Sequence, residues 1–349
     1  MKLIKHLSPK ARRMVGALLA TLALTGCGAR SSMLSPHGVG AQEITNLWWI
    51  IFGIAAGVFV VVEGFLLFAL IRFRHRPDRP LPRQVSGNTK LEIGWTAVPA
   101  IVLLAVLVVT FSTMKAVAAS APGALQVNVI GHQWWWEFQY RVNGQLVTTA
   151  DELHLPVNQS VTLHVMSADV VHDFWVPELD RKVQAIPGHD NVIPIKATKV
   201  GTYQGYCAEF CGLEHALMRF TAVVQSQPKF SAWLKGQEAG PVSPTTPQEK
   251  AGQAAFKADG CSICHEIGNA PVAGFPYNGL VITGPNLTHV GSRSTIVADQ
   301  LQNTPANLER WLSAPDKIKP GSYMSVFIHD GQLSQKDVQD ITAYLESLK

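Results

Sequence analysis

Two long apolar stretches dominate the first third of the chain. Residues 47–71 are apolar except for Glu63, and residues 95–114 form a second apolar run with Pro99 near its start. Each stretch is long enough for a helix to cross the hydrocarbon core of a bilayer. The acid within the first stretch is either a functional group or a contact with a partner helix. The pattern therefore predicts a hairpin of two transmembrane helices within residues 27–120.

The segment between the two apolar stretches is basic, and this predicts the orientation of the hairpin. Cytoplasmic loops of membrane proteins carry an excess of lysine and arginine, and tryptophans gather at the interfaces. Trp48 and Trp49 mark the outer interface of the first helix. The hairpin loop is therefore expected in the cytoplasm, with everything after Ser120 exported. The basic residues of the loop are Arg72, Arg74, His75, Arg76, Arg79, Arg83 and Lys90.

The N-terminus has the layout of an export signal. Five lysines and arginines precede the apolar run 14–24, which is too short to span a bilayer. The run ends in Leu-Thr-Gly-Cys at Cys27, which resembles the lipobox of bacterial lipoproteins. That resemblance implies removal of residues 1–26 and acylation of Cys27. A plain cleavage site with an incidental cysteine is the alternative.

Charge along the chain is sparse and nearly balanced. The 349 residues include 29 basic and 25 acidic side chains, for a net charge of +4, so no nucleic-acid-binding surface is indicated. Charged residues make up only 15% of the chain, which is low for a soluble protein and agrees with membrane content.

After the second apolar stretch the pattern changes to alternation of apolar and polar side chains. Alternation over five or six residues predicts half-buried strands, and Asn-Gly and Pro-Gly pairs between them predict turns. Short strands of this kind predict a cupredoxin-like β-sandwich or barrel over residues 121–228. The alternating segments are 126–130, 160–165 and 220–224.

The last third of the chain has helical periodicity. Residues 229–247 contain three prolines and predict an extended linker. Beyond them, apolar residues recur every three or four positions, as on the buried face of a helix. Residues 248–349 are therefore expected to form an all-α domain. Its apolar faces comprise Gly252, Phe256, Leu308, Trp311, Leu312, Val338, Ile341, Tyr344 and Leu345.

A segment of twelve residues, from Cys207 to Met218, carries two thiols, an imidazole and a thioether. Soft sulfur ligands with imidazole select copper, zinc or iron–sulfur clusters over hard cations. Gly212 favours a loop around a metal over a helix. Structural zinc takes no methionine, and a single blue-copper site leaves one thiol unused. A dinuclear copper centre uses every donor and needs one more imidazole. The donors are Cys207, Cys211, His215 and Met218.

Four histidines upstream are candidates for that additional imidazole: His154, His164, His172 and His189. His172 follows an apolar segment at the point where a strand ends and the chain turns. His164 lies inside an alternating strand, where a hydrogen-bonded or exposed histidine is expected. His172 is therefore the favoured ligand.

The pattern Cys-x-x-Cys-His beginning at Cys261 is typical of covalent haem c attachment. In such a site Cys261 and Cys264 bond the haem vinyl groups, and His265 binds the iron. A thioredoxin-like redox pair is the alternative, which the adjacent histidine disfavours.

The second axial ligand of such a haem is commonly a methionine. Met324 is the last methionine of the chain and follows the attachment site at a distance suited to a small cytochrome c. His289 and His329 are less favoured candidates.

Trp134, Trp135 and Trp136 are consecutive in the densest aromatic run of the chain. Neighbouring side chains on an extended chain point in opposite directions, so all three cannot enter one core. At least one is expected on the surface, where a flat apolar ring can anchor a partner protein. Packing at a membrane interface is the alternative for the others.

In chain order these motifs resemble subunit II of bacterial haem-copper cytochrome c oxidases of the CuA type, over residues 40–228. Residues 248–349 resemble a class I cytochrome c. The resemblance implies a multidomain membrane protein with a two-helix transmembrane hairpin, a cupredoxin-like domain and an all-α cytochrome c domain. The motifs that carry it are Leu91–Thr96 with Pro99, Gly131–Trp134, His172–Pro177, Ala185–Gly188, Cys207–Met218 and Gly284–Leu287.

The resemblance also implies roles for single residues. Cys207 and Cys211 would bridge two coppers, with His172 and His215 as terminal ligands and Met218 as a weak axial ligand. One departure from many members is an arginine, instead of a proline, directly after the methionine.

Three further roles follow from the same resemblance. The carbonyl of Glu209 would complete the copper site, and its carboxylate would reach a magnesium ion shared with subunit I. Trp134 corresponds to the tryptophan at which electrons enter. Glu92, otherwise a solvated charge before the second span, corresponds to the carboxylate at the mouth of a proton pathway.

The implied function is electron input to a respiratory terminal oxidase in the bacterial cytoplasmic membrane. Electrons from cytochrome c would pass through haem c and CuA to subunit I, which reduces dioxygen to water and pumps protons; subunit III would be a further partner. A CuA-bearing input subunit of a nitric oxide reductase and a lipid-anchored copper chaperone are alternatives. Subunit II of a quinol oxidase is disfavoured, because that family lacks the copper ligands.

Overall fold

The fold consists of a helical hairpin, a sheet domain (residues 121–226) and a helical domain (residues 247–349), which confirms the predicted fold class. The predicted signal peptide with Cys27 and most of the basic loop lie outside the described residues. The computed structural model describes residues 8, 31–74, 85–119, 121–142, 144–268 and 273–349.

Two long apolar helices form the hairpin, α1 over Val39–Arg72 and α2 over Thr89–Ala118. Both have the length and hydropathy to cross a membrane. Each is longer than its apolar stretch, because its ends find polar partners outside the bilayer. Asn88 caps α2 by accepting two backbone N–H groups of the first turn. Gly38, just before α1, pairs with Ala197 of the sheet domain.

The sheet domain is a sandwich of two five-stranded sheets. Its strands are β1 Leu125–His132, β2 Trp135–Val142, β3 Gln145–Ala150, β4 Glu152–Pro156, β5 Val161–Ser167, β6 His172–Trp175, β7 Val183–Ala185, β8 Asn191–Ile195, β9 Gly201–Cys207 and β10 Arg219–Gln225. One sheet has the order β3-β2-β1-β5-β8 and the other β4-β10-β9-β6-β7. Neighbours are antiparallel except for the parallel pairs β1–β5 and β4–β10.

Alternation along the strands sends one set of side chains between the two sheets. Val127 and Val129 of β1 are fully buried there, and each such side chain contributes about 1.5–3 kcal/mol. Phe174 and Phe220 stack in the same core with ring centroids 4.9 Å apart. This packing fixes the register of β6 against β9, in which Phe174 pairs with Cys207. The core therefore positions the end of the sheet at which the metal-binding segment begins.

The segment after the last strand of the sandwich differs from the expected linker over residues 229–247. A helix, α3, spans Gln227–Gln237. Phe230 is buried in the core of the sheet domain, and the Trp233 ring stacks on His154 with centroids 3.9 Å apart. These two aromatic side chains, three positions apart, give the segment a helical apolar face. Residues 238–246, all described, contain neither helix nor strand.

The helical domain is built on a close crossing of its first and last long helices. The helices are α4 Pro247–Ala258, α5 Pro305–Ser313, α6 Pro315–Ile318, α7 Tyr323–Phe327 and α8 Gln335–Ser347, with short strands β11 Phe275–Tyr277, β12 Leu280–Ile282, β13 Thr295–Ile296 and β14 Leu301–Gln302. At the crossing of α4 and α8, a Cβ on Gly252 would lie 1.9 Å from the backbone oxygen of Asp340. Only glycine permits this approach.

The helical domain packs directly on the sheet domain through polar contacts. The backbone N–H of Ser294 donates to Glu152 Oε1 at 2.6 Å, and the Ser294 hydroxyl donates to the same oxygen. The N–H of Thr295 adds a third bond of 3.3 Å. Elsewhere Gln204 Nε2 donates to Asp299 Oδ2 at 2.6 Å. The two domains therefore share one interface within the chain.

Candidate metal centre and haem cavity

The metal donors predicted from the sequence converge at one end of the sheet domain. Cys207 Sγ and Cys211 Sγ lie 3.7 Å apart. His172 Nδ1 lies 3.8 Å from Cys207 Sγ, and His215 Nδ1 lies 3.7 Å from Cys211 Sγ. Met218 Sδ lies 3.8 Å from Cys211 Sγ. Each imidazole is thus next to one thiol, and the thioether is next to the second thiol.

Three structural elements bring these donors together. Cys207 ends β9, and His172 begins the adjacent strand β6. Cys211 lies on a loop, and His215 lies on the short 3₁₀ turn that leads into β10. Gly212 has a φ of +115°, a backbone conformation that glycine adopts readily, so the segment forms the predicted loop instead of a helix.

The spacing of the donors fits soft metal ions. Two thiolates that bind one ion at about 2.3 Å with a tetrahedral angle lie about 3.8 Å apart. The donor atoms of His172, Cys207 and Cys211 all lie within 4.8 Å of one another. The backbone oxygen of Glu209 lies 3.3 Å from Cys207 Sγ and adds a further donor. Sulfur and imidazole donors in this number suit copper.

Asp169 supports His172 from the side away from the thiols. Its Oδ1 lies 2.8 Å from His172 Nε2, which leaves Nδ1 directed at Cys207. A carboxylate on the far ring nitrogen orients a metal-binding histidine and makes it a stronger ligand. Burial alone would lower the pKa of His172, but the hydrogen bonds with Asp169 and Cys207 raise it above its ordinary value.

The two thiols of the cluster are joined by one hydrogen bond, which shifts their pKa values in opposite directions. The hydrogen bond with Cys211 lowers the pKa of Cys207, and the neighbouring His172 lowers it further. The same contact raises the pKa of Cys211. Because the thiolate is the form that binds metals, Cys207 is ready for a metal, and binding would displace the proton that Cys211 keeps.

The two glutamates singled out in the sequence lie apart from these donors. The side chain of Glu209 is half-buried, and its Oε2 accepts a bond of 3.4 Å from Gln184 Nε2. Glu92 lies in the exposed first turn of α2, where its Oε1 accepts from the N–H of Asn88 at 3.2 Å. The opposite end of α2 meets the sheet domain, where Arg181 Nη1 donates to the backbone oxygen of Val117 at 3.0 Å.

A cavity of about 390 Å³ lies in the helical domain next to the interface, and Cys261, Cys264, His265 and Met324 all line it. His265 Nδ1 donates to the backbone oxygen of Pro285 at 2.9 Å, which leaves Nε2 as the nitrogen available to iron. Apolar side chains form most of the remaining wall. They include Phe256, Leu287, Leu308, Leu312, Ile341 and Leu345.

Two further observations fit a haem in this cavity. Gly284 leaves room beside the histidine, since a Cβ there would lie 2.5 Å from His265 Cε1. Arg293 also lines the cavity, and its buried Nε has no hydrogen-bond partner among the described residues. A planar apolar group that carries carboxylates would fill the cavity and pair with this guanidinium.

The structure disfavours both a redox-active thiol pair at Cys261 and Cys264 and the use of His289 or His329 as a haem ligand. Burial raises the pKa of Cys261 to about 11 and also raises that of Cys264, whereas a redox-active pair depends on a lowered thiol pKa. His289 Nε2 bonds the backbone oxygen of Ala239 at 3.0 Å, and His329 is exposed. Met324 lines the cavity, whereas His289 and His329 are not among its lining residues.

The expectation that one of the three consecutive tryptophans is exposed is wrong. Trp134, Trp135 and Trp136 are 7%, 8% and 0% exposed. Trp136 enters the core of the sandwich, whereas Trp134 faces the helical domain and stacks on Tyr323 with ring centroids 5.2 Å apart. A second domain of the same chain covers this face, which the local pattern does not reveal.

Some residues around these sites were not predicted from the sequence. Asp169 precedes His172 by three positions at a strand end, and this spacing is a signal that could have identified it. Glu152, Lys319 and Tyr323 meet partners in the other domain, and nothing near them in the sequence marks that contact.

Three family models match the chain in order. The model described as Cytochrome C oxidase subunit II, transmembrane domain, matches residues 34–113. The one described as Cytochrome C oxidase subunit II, periplasmic domain, matches residues 142–226, and the one described as Cytochrome c matches residues 249–349.

Whole relatives match over nearly their full length. Cytochrome c oxidase subunit 2 of Alkalihalophilus pseudofirmus is 34% identical, with 97% of each chain covered. This chain belongs to the cytochrome c oxidase subunit 2 family. The subunit of Bacillus sp. strain PS3 is 35% identical, with 95% of each chain covered. The crystal structure of the periplasmic domain of subunit II of cytochrome oxidase of Bradyrhizobium japonicum is 32% identical and covers 34% of this chain and 97% of that one, with a TM-score of 0.32.

Membership of the cytochrome c oxidase subunit 2 family confirms the resemblance noted in the sequence. The chain is a subunit of a haem-copper oxidase complex, with subunit I as its partner, and it combines the two-helix membrane anchor with a fused cytochrome c domain. The matched periplasmic domain implies copper and the matched cytochrome c domain implies haem, in agreement with the metal cluster and the cavity.

Proposed function

We propose that this oxidase subunit takes electrons from cytochrome c and passes them through its haem c and CuA centre to subunit I. Subunit I would use them to reduce dioxygen to water, coupled to proton pumping. The observation that carries the proposal is that one chain holds a soft-donor cluster and a haem cavity on two sides of one interface, with Trp134 between them. A closed donor set of this kind suits electron transfer better than substrate chemistry.

In the proposed CuA centre, the thiols of Cys207 and Cys211 would hold a pair of copper ions. His172 and His215 each provide one imidazole, which is supported by the position of one ring beside each sulfur. Met218 and the carbonyl oxygen of Glu209 would be the weaker donors. Such a pair of ions carries one electron at a time.

In the proposed haem site, Cys261 and Cys264 would attach the haem covalently, and His265 and Met324 would bind its iron. The position of all four at one cavity supports this assignment. The bound haem supplies one-electron redox chemistry. The bond from His265 Nδ1 to Pro285 fixes the ring so that Nε2 serves the iron.

Three further roles complete the proposal within the complex. The Glu209 carboxylate would bind a magnesium ion shared with subunit I, because hard cations prefer oxygen ligands. Trp134 would be the residue through which electrons reach the copper. Glu92 would stand at the mouth of a proton pathway, supported by its place at the cytoplasmic end of α2.

The proposed location is the bacterial cytoplasmic membrane, with the sheet and helical domains on the outer side. The hairpin α1–α2 and the positive residues between its helices support this topology. Cleavage after residue 26 and a lipid on Cys27 would add a second anchor. Subunit III and an external cytochrome c are the further proposed partners.

The purified full-length oxidase complex provides the test, by visible and EPR spectroscopy with copper quantified. We expect a seven-line mixed-valence copper signal and a low-spin c-type haem. Cys207→Ser should abolish the copper signal and leave the haem, whereas Cys264→Ser should reduce covalent haem and leave the copper signal. A single type 1 copper, or a spectroscopically silent metal at Cys207, would overturn the proposal.

A further inference from the structure

Tyr323 of the helical domain is hydrogen-bonded into the surroundings of the copper ligands. Its hydroxyl donates to Gln133 Oε1 at 2.9 Å. The nitrogen of the same side-chain amide, Gln133 Nε2, donates to the backbone oxygen of Cys211 at 2.8 Å. Two hydrogen bonds therefore connect a residue of the haem cavity with the carbonyl of a proposed copper ligand.

A second connection starts from the same tyrosine and ends at the same oxygen. The Tyr323 ring stacks on the Trp134 indole at a centroid distance of 5.2 Å and an interplanar angle of 23°. Trp134 Nε1 donates to the backbone oxygen of Cys211 at 3.0 Å. A carbonyl oxygen has two lone pairs, so it accepts both bonds at once.

The two connections begin at the wall of the haem cavity. Tyr323 and Met324 are adjacent and both line the haem cavity, which Gln133 and Trp134 close from the side of the sheet domain. On the other side, the Tyr277 ring meets Tyr323 edge to face at 5.8 Å.

We propose that Tyr323, together with Gln133, bridges the haem and the copper centre of this chain for electron transfer. This inference rests on the proposed function. In the step, one electron leaves the ferrous haem iron, which becomes ferric, and reduces the copper pair by one electron. No bond forms or breaks and no proton moves. Tyr323 provides the packed and hydrogen-bonded path between the two centres.

The test uses the complete oxidase complex loaded with both cofactors. The haem is reduced by a light-activated ruthenium complex, and its reoxidation by the copper centre is followed by transient absorption. Tyr323→Leu removes the ring contact and the hydrogen bond, and we expect it to slow transfer by about tenfold or more, because fixed positioning governs such steps. Tyr323→Phe keeps the ring and should slow it less. Tyr277→Phe keeps the ring beside Tyr323 and is the matched control, which should leave the rate unchanged.

Each outcome has a separate meaning. The copper EPR signal and the haem potential should stay at their wild-type values in the Tyr323 variants, which a merely structural role would shift. A wild-type rate in Tyr323→Leu, with both centres intact, overturns the bridge. If that variant loosens the interface, seen as faster amide exchange at residues 133–136, Tyr323→Phe decides: a slower rate supports the bridge and an unchanged rate overturns it. Absence of the copper or haem signal from the wild type overturns the proposed function instead.

Discussion

Lys319 of the helical domain donates a hydrogen bond of 2.6 Å from Nζ to the backbone oxygen of Trp134 in the sheet domain. Lys319 is only 5% exposed. Burial lowers the pKa of its amine to about 8, although the nearby carboxylates of Asp151 and Glu214 raise that pKa. A buried ammonium needs an acceptor, and here the acceptor belongs to the other domain. This bond therefore helps to hold the Trp134 indole in place.

Replacement of this lysine should weaken the interface without unfolding either domain. Lys319→Met keeps most of the side-chain volume and removes the charge, and a hydrogen bond to a charged group contributes about 1.5–3 kcal/mol. We expect faster amide hydrogen exchange at residues 133–136 in the detergent-solubilised chain. Lys317→Met is the control, because Lys317 is exposed and pairs only with Asp330 at 3.6 Å. Equal exchange in Lys319→Met and the wild type would contradict this role.

Asp169 should control the copper affinity through His172. In Asp169→Asn the ring nitrogen His172 Nε2 loses its carboxylate partner, and such changes lower metal affinity by about 10–100-fold. Competition with a copper chelator measures the effect on the purified chain. Asp190→Asn is the matched control, since Asp190 pairs with a histidine outside the cluster, His164, at 2.7 Å. Equal copper retention in the two variants would show that Asp169 has no such function.

The metal-binding segment could be predicted because its chemistry is local in the sequence. Cys207, Cys211, His215 and Met218 lie within one loop, and only residue types that bind soft metals occur at these positions. His172 was also predictable as a ligand at the end of a strand, although it begins strand β6 instead of following a strand. The same reasoning identified Cys261 to His265, in which the ligand pattern is contiguous.

The interface between the two domains could not be predicted from local patterns. Lys319 and Trp134 are 185 positions apart, and lysine is ordinarily exposed, so nothing marked the pair. The wrong expectation for the three tryptophans has the same origin, since Trp134 stacks on Tyr323 of the helical domain. The contact of Trp233 with His154 was also not predictable, because Trp233 lies in α3 and His154 in the distant strand β4.

Gly252 should be required for the crossing of α4 and α8. In Gly252→Ala the new Cβ would lie 1.9 Å from Asp340 O, so the two helices must separate. Overpacking of this kind lowers the free energy of unfolding by about 1–3 kcal/mol, and a backbone atom such as Asp340 O moves less easily than a side chain. We expect a lower thermal midpoint for the helical domain and weaker haem retention. Gly236→Ala in α3 is the control, because nothing lies within 4 Å of its Cβ, and it should be neutral or stabilising by up to about 1 kcal/mol. Equal midpoints in the two variants would exclude a tight crossing.

Asp151 should make stability fall as the pH rises through the weakly acidic range. Burial raises the pKa of this carboxyl from 3.8 to about 6, although the N–H of Trp136 and the cations Lys319 and Arg293 oppose the shift. The folded chain therefore holds this proton to a higher pH than the unfolded chain does. Between about pH 4 and 6 the folded state binds more protons than the unfolded state, so stability decreases with pH by about 1.4 kcal/mol per unit of pKa difference.

The variant Asp151→Asn tests this effect, because its side chain stays neutral and keeps an oxygen for the Trp136 N–H. We expect a shallower decline of the thermal unfolding midpoint between pH 4 and 6.5, and a higher midpoint at pH 7. An unchanged slope would show that Asp151 ionises in the folded chain as it does in the unfolded one.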